Sequence, residues 1–448
     1  MKQVLLFLMV FCAVNGRGQI ITTFAGGGTS GIGDGGPATS AIIPNPNSGI
    51  FDKYGNFYFI NCISGNRVRK VDTLGIISTV AGTGIGGYFG DGGQATSAKL
   101  NGPISVRIDG EGNIYISDVQ NFRIRKVDKA SGIITTYVGN GVGGYNGDGI
   151  PATSASIYGT SEMAMDKFGN LYIADYYNQR VRKINTLGII TTYAGTGVAG
   201  SLGDGGAATN AQLNYPVGLT IDSFGNIFVG ESTGARVRKI DAMGNISTIA
   251  GNGLTTFTID GIPATNASIV PIRLAIDSFG KLYIGDNGNN RVYMIDNIGI
   301  IHTVAGTGVR GATGDNGPAT ACELDYPSGI ALDACGNLYI CEADNRKVRK
   351  VTFDTSCNPH GYHGSLNVIN LSLELSISPN PVSTTLSVSY TNQFYDVSIY
   401  NLINQTLFTQ AYTSTKAEID MSGYPAGVYI VRVRDKDGGQ IVRKVVKE

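Results

Sequence analysis

Carboxylates recur at fixed intervals in this chain. Asp52, Asp109, Asp166, Asp222, Asp277 and Asp333 each open the string Asp-x-x-Gly-Asn, at steps of 57, 57, 56, 55 and 56 residues, and only Lys281 breaks the Gly-Asn pair. Asp34, Asp91, Asp148, Asp204, Asp260 and Asp315 sit in strings close to Gly-Asp-Gly-Gly-x-Ala-Thr-x-Ala, at steps of 57, 57, 56, 56 and 55. Six carboxylates on one rim could hold a metal or a cationic ligand, but calcium needs several oxygens converging on one point. A sixfold element more simply serves a sixfold architecture. Asp at a turn accepts backbone N–H bonds two residues on, and the following Gly takes the left-handed conformation. In strings such as Arg67-Val68-Arg69-Lys70, both arginines fall on one strand face. They are expected to lie on an outer wall, pair with acids and mask sheet surface.

Positions that differ between copies are more informative. Two and four residues before each repeat Asp, most copies hold a small residue, which suits a crowded axis. Arg107, Glu162 and Arg273 interrupt that pattern. A charge where sibling copies hold Ala or Gly is not required by a repeated fold. The three are expected to line a central channel and bind a polar or charged ligand; in the competing reading they pair with one another inside water-filled space. The segments between the second and third β signals also vary. Phe122, Tyr176, Tyr177 and Asn289 are candidate ligand contacts there, on the same rim as the Gly-Asp-Gly loops, because recognition is commonly carried by loops on a rigid scaffold. Phe122, Tyr176 and Tyr177 are its apolar anchors. No catalytic residue, metal site or cofactor is expected. The histidines are His302, His360 and His363, there is no Ser nucleophile elbow, and the cysteine spacings match no zinc pattern.

These groups need a scaffold, and the repeat supplies it. Copy two shows four β signals, at 104–108, 113–117, 123–127 and 133–138, separated by turn residues. Four antiparallel strands per repeat of this length form a propeller blade. Glycine, at 64 of 448 residues, disfavours helix and suits tight turns. The expected fold is all-β: a six-bladed β-propeller over residues 19–353 and a small β-sandwich over 370–448, joined by a turn-rich linker at 354–369. The fourth strand, Gly-Ile-Ile-x-Thr-x-Ala-Gly, follows copies one to five but not copy six. Residues 20–26, IITTFAG, supply that strand ahead of copy one. They are expected to close the ring against 347–351 and remove a sheet edge. Lys2 followed by the apolar run 4–14 reads as a signal peptide over 1–18. No later apolar run is long enough to span a bilayer, so the mature chain is expected to lack a transmembrane segment. The 34 basic and 34 acidic side chains balance, which argues against a nucleic-acid partner. Five cysteines follow residue 18, and four of them fall between 322 and 357, where a local bridge is possible.

The unit Asp-x-x-Gly-Asn-x-Tyr-Ile-x-Asp, followed by Asn-x-Arg-Val-Arg-Lys-Val, resembles the NHL repeat over residues 20–353. The C-terminal module resembles the type A C-terminal sorting domain of the type IX (Por) secretion system of Bacteroidetes. Ile377-Ser378-Pro379-Asn380-Pro381 and Ala426-Gly427-Val428-Tyr429-Ile430-Val431-Arg432-Val433 carry that likeness, with Pro379, Asn380, Pro381, Gly427 and Tyr429 as its motif positions. Ser378 stands where Tyr or Phe is common, and Asn404 where a turn Gly is common. The resemblance implies the type IX secretion machinery as a partner and a place outside the cell or on its outer surface. NHL propellers commonly serve as interaction platforms, so a non-catalytic module recognising an unknown protein or glycan is the first reading. The second is a propeller enzyme of the lyase or lactone-hydrolase kind with an oxygen-ligated metal near the axis. His302, in an outer fourth strand, is poorly placed to act as its base.

Overall fold

Each Asp-x-x-Gly-Asn string folds into the same tight turn. Asp52 Oδ1 accepts the N–H groups of Tyr54 and Asn56, both at 2.9 Å. Its Oδ2 accepts the Asn56 side-chain amide at 2.7 Å and the Tyr58 hydroxyl at 3.2 Å. Asp109, Asp166 and Asp333 repeat all four bonds. Gly55 takes φ +84°, the conformation that closes the turn. These carboxylates are consumed by the architecture.

In the computed structural model the described residues are 19–256, 259–353 and, within 376–448, all but 380, 390–393, 402–404, 413 and 436–439. The expected signal peptide, the linker at 354–369 and Asn380 lie outside them. The chain divides into two compact units, Met1–Gly361 and Tyr362–Glu448. Among the described residues the first unit holds six antiparallel sheets, four of four strands and two of five. Copy two illustrates the order from inside outward: Pro103–Ile108, Ile114–Asp118, Arg123–Val127 and Ile134–Val138. The second strand of each sheet is buried on both faces, which is why it reads as an unbroken run such as IYISD or LYIAD rather than an alternation. Each innermost strand lies against the next, from Pro46–Phe51 through Pro103–Ile108, Thr160–Met165, Pro216–Ile221 and Pro271–Ile276 to Pro327–Leu332, which lies against Pro46–Phe51.

Residues Ile20–Gly26 form the outermost strand of the sheet made by copy six. They pair antiparallel with Lys347–Thr352, from Ile20 opposite Thr352 to Gly26 opposite Lys347. The packing alongside mixes first and last residues: Ala25, Ile43, Phe57 and Phe59 share a buried cluster with Tyr339, Cys341 and Val348. Ser328 Oγ also donates to Pro46 O at 2.7 Å.

One expectation needs correction. The second arginine of each Arg-x-Arg string does not mask an outer surface: Arg69, Arg125, Arg182, Arg238 and Arg349 are fully buried. The Gly-Asp-Gly segments serve the repeated architecture. They run on along the outer strand of the following sheet, where Gly35 N–H donates to Ile77 O and Gly92 N–H to Ile134 O. From there their aspartates reach the buried arginines: Asp34 to Arg69 at 2.7 Å, Asp91 to Arg125 at 2.5 Å, Asp148 to Arg182 at 2.9 Å, Asp204 to Arg238 at 2.6 Å and Asp315 to Arg349 at 2.8 Å. Four of these arginines face a second acid from the end of strand two. Asp118 lies 3.4 Å from Arg125, Asp175 3.6 Å from Arg182, Glu231 3.2 Å from Arg238 and Glu342 3.6 Å from Arg349.

The second unit holds a three-stranded sheet, Ser376–Ser378, Thr385–Ser389 and Lys416–Asp420, and a four-stranded sheet of Phe394–Tyr400, Thr406–Ala411, Gly427–Asp435 and Gln440–Lys447. Both contribute to one core that includes Leu386, Val388, Val397, Ile419, Tyr429 and Val431.

Deleting residues 20–26 removes the buried Ile21 and Ala25 and bares the edge of Lys347–Thr352. The melting temperature should fall by more than about 5 °C; a deletion variant that melts with the parent would refute this role. A second expectation concerns pH. Burial raises the Asp118 and Asp175 carboxyls to about 6, and Glu231 and Glu342 to about 7, against hydrogen bonds and the paired arginines. The folded state therefore holds these protons more tightly than the unfolded chain, so their stabilisation is full below about pH 4 and is lost as pH rises through 6 to 7. Asp91, Asp148 and Asp204 move the other way: burial opposes the shift, but hydrogen bonds from Thr136, Thr192 and Thr248 and the paired arginines outweigh it. Their contribution is lost only in stronger acid. Thermal melts should run higher at pH 5 than at pH 8, and the reverse order would contradict the burial-driven shift.

Candidate functional site

The three charged residues of the inner strands converge. Glu162, only 2% exposed, lies 2.8 Å from Arg107 Nη2 through Oε1 and 3.1 Å from Arg273 Nε through Oε2. Ser105 Oγ donates a short hydrogen bond to the same Oε1. The remaining guanidinium groups are also engaged. Arg107 Nη1 donates to Val106 O at 2.7 Å, Arg273 Nη1 to Ile272 O at 3.0 Å and Arg273 Nη2 to Asn47 Oδ1 at 2.8 Å. Burial pulls the Arg107 pKa down and Glu162 pulls it back up. The cluster spans the first, second, third and fifth sheets as a polar clamp, carrying one more positive than negative charge, and Arg273 Nε faces Glu162 without a well-aligned hydrogen bond.

On the edge where second strands turn into third, five aromatic rings stand in file. Phe122 meets Tyr158 at 5.5 Å between centroids, Tyr158 meets Tyr177 at 4.5 Å, Tyr177 meets Tyr176 at 4.8 Å and Tyr176 meets Tyr215 at 5.0 Å. The stripe crosses the second, third and fourth sheets. Tyr158 and Tyr177 are 41% and 53% exposed. Among the described residues, no hydrogen bond engages the phenol oxygens of Tyr158, Tyr176, Tyr177 or Tyr215.

Local backbone geometry holds these rings. Tyr176–Asn178 is a 3-10 turn, and Tyr177 N–H donates to Tyr158 O at 3.1 Å. Buried Asp175 accepts Tyr158 N–H at 2.8 Å and the Asn178 side-chain amide at 2.9 Å. Tyr215 N–H donates to Gln179 Oε1 at 2.7 Å. Glycines leave room for the rings: a Cβ on Gly159 would sit 2.7 Å from Tyr177 Cδ2, and one on Gly143 3.0 Å from Phe122 Cε1. Phe122 and Tyr215 have φ of +51° and +54°, a conformation that bulky residues seldom adopt. Sibling copies place Asn66 and Asn290 at the first position, and Gly102 and Gly159 at the second. Gln179, Ala235 and Arg346 hold the first position and Tyr326 the second at the same positive φ, so the turn is made with many residue types and the chain places rings at Phe122, Tyr215 and Tyr326.

Sequence alone thus locates Phe122, Tyr176 and Tyr177 but not Tyr158 or Tyr215, which lie in the lead-in to the inner strand. The available signal is a Tyr where the neighbouring copies hold Asn101 and Asn214 at the first of these positions and Gly102 and Gly159 at the second. Asn289 stands apart from the stripe, and its N–H and side-chain amide bind Asp286 at 3.0 and 2.9 Å. The Asn121 and Asn178 side chains bind Asp118 and Asp175 in the same way. His302 pairs with Asp296 at 3.0 Å on the outer strand Ile300–Ala305. Among the described residues, no three His, Cys, Asp or Glu side chains converge as metal ligands. Cys62, Cys322 and Cys341 are buried free thiols, whereas Cys335 is disulfide-bonded. In the second unit Tyr429 is buried and donates to Pro425 O at 2.7 Å. Gly427 opens its strand, and Pro379 and Pro381 are exposed.

Comparison with known proteins agrees with this architecture. Residues 376–448 match the secretion system C-terminal sorting domain, and residues 87–143 and 198–258 match the teneurin NHL domain. Chicken teneurin-1 is 30% identical over 343 residues, which is 69% of this chain but 12% of teneurin-1. NHL repeat-containing protein 2 of chicken is 25% identical over 62% of this chain and 42% of its own length. The chain therefore spans well under half the length of these relatives. Among solved structures, an auxiliary nutrient binding protein from Bacteroides ovatus superposes with a TM-score of 0.55 at 16% identity, covering 75% of this chain and 76% of that one. A Bacteroides thetaiotaomicron protein of unknown function gives 0.54 at 20% identity, with 75% and 76% covered. These two likenesses concern the fold. The chain is an NHL-type β-propeller followed by a secretion system C-terminal sorting domain. That sorting domain marks it for the type IX secretion system and for the cell surface or the extracellular space. No helix among the described residues is long and apolar enough to cross a membrane.

Replacing Glu162 by Gln would leave Arg107 and Arg273 buried beside a neutral group. Removing one partner of a buried ion pair costs about 3–5 kcal/mol, and Glu162→Gln should fall near the low end because the amide keeps an acceptor. Chemical denaturation measures it, and an unchanged midpoint would show that the clamp is dispensable.

Proposed function

We propose that the first unit is a closed six-bladed ring and that the exported protein is a non-catalytic binding module, engaging its ligand through the aromatic stripe. The ring reading is supported by the circuit of inner-strand contacts and by the pairing of Ile20–Gly26 with Lys347–Thr352. Arg107, Glu162 and Arg273 serve this ring as a clamp at its axis. Glu162 is paired with both arginines, whose Nη1 atoms donate to backbone carbonyls, so its carboxylate is engaged rather than free to act as a base. A binding role also agrees with the Bacteroides ovatus protein of similar fold, which is an auxiliary nutrient binding protein.

The stripe is the observation that carries the reading. Exposed rings on a rigid scaffold offer large contact area at low conformational cost. The full chain without residues 1–18 should bind an immobilised mixture of polysaccharides and extracellular matrix proteins. The double variant Tyr158→Ala/Tyr177→Ala should bind about tenfold more weakly with its melting temperature unchanged. Equal binding by parent and variant would overturn the assignment of the stripe as the ligand site.

A further inference from the structure

The geometry points to a neutral polysaccharide chain as the occupant of the aromatic stripe, an inference that rests on reading the stripe as the ligand site. The five rings follow one another at centroid steps of 4.5 to 5.5 Å across three sheets. They form a file rather than a pocket, which suits a linear occupant with a short, repeating unit. Four of the five are tyrosines with uncommitted hydroxyls. Each therefore offers an apolar face and a polar tip, matching a sugar ring, which presents C–H groups on its faces and hydroxyls at its rim.

Two other linear occupants fit less well. An extended peptide gains affinity from free main-chain donors and acceptors at a sheet edge. Along the stripe the N–H groups are already used: Phe122 donates to Val119 O, Tyr177 to Tyr158 O, Gln179 to Tyr176 O, Tyr158 to Asp175 and Tyr215 to Gln179. A charged polymer needs fixed charges of opposite sign. The nearest arginines are spent, Arg123 on Asn121 O and Asn140 O beneath the Tyr88 ring, and Arg180 on Asn178 O and Thr196 O beneath the Tyr145 ring. The nearest acid, Asp175, is fully buried.

Affinity gel electrophoresis tests this with the full chain lacking residues 1–18. The gels contain laminarin, xyloglucan, mannan or amylopectin as neutral polymers, alginate as an acidic polymer, and gelatin as a protein. At least one neutral polysaccharide should retard the chain, equally at low and high salt. Tyr158→Ala and Tyr177→Ala should each weaken that retardation about tenfold, and Tyr177→Phe, which keeps the ring, by less than about threefold. If alginate or gelatin binds through the stripe and no neutral polymer does, the polysaccharide assignment falls and the stripe remains a ligand site. If retardation by a neutral polymer is unchanged in both alanine variants, both readings fall. If none of the four neutral polymers retards the chain, the polysaccharide assignment is overturned.

Discussion

A fully buried arginine in the third strand of five of the six sheets grips an aspartate that arrives from outside the sheet. In four of them it also faces an acid at the end of the neighbouring strand. Such pairs add little net stability over apolar substitutes, because taking each ion out of water costs several kcal/mol. They do help to hold a segment in place, since each arginine meets the incoming Gly-Asp-Gly segment beside the outer strand. The fifth copy shows that this placement is also reached without the arginine. There buried Tyr293 takes its place, Asp260 accepts the Thr303 N–H and hydroxyl, Asp286 accepts the Val270 and Asn289 N–H groups, and Gly261 N–H still donates to Ile301 O while the sheet keeps its strand order.

The candidate site is built on the same constraint. Asp175 faces Arg182, and its carboxylate fixes the Tyr158 backbone and the Asn178 side chain. Tyr158 O in turn accepts from Tyr177. Three of the rings in file thus trace back through one buried carboxylate to one buried arginine. The equivalent Asp118 holds Asn101 and Asn121 in the same way, yet the residues there are polar. The scaffold is therefore common to the copies, and the third copy differs by placing rings on it.

Much of the fold was legible because turn geometry repeats a sequence demand six times. Asp-x-x-Gly-Asn is needed wherever that turn is made, and the strand displaced to residues 20–26 could be recognised by its own pattern. Burial of the second arginine was not legible. Period-two alternation says which face a strand residue takes, not that a segment 34 or 35 residues earlier in the chain folds over that face. The inner-strand cluster was legible as an anomaly, since charge at Arg107, Glu162 and Arg273 broke a small-residue pattern. Its internal pairing depended on rotamers and on Asn47 and Ser105, which no spacing rule selects.

The stripe was half legible for a related reason. Residues one repeat apart occupy the same place on adjacent sheets, so Tyr158 was in reach of a comparison with Asn101 and Asn214, and Tyr215 of one with Gly102 and Gly159. What hid them was their place just before the inner strand, a region read for its axial residues rather than for its edge. Ring contacts, not backbone conformation, set them apart. The same positive φ is taken by Gln179, Ala235 and Arg346 at the position of Phe122 and by Tyr326 at that of Tyr215, so the turn does not select the residue. Phe122 and Tyr215 differ in that each meets a ring from the third sheet. The aromatic file is thus a feature of three adjacent sheets, and it is one that the sixfold repeat does not require.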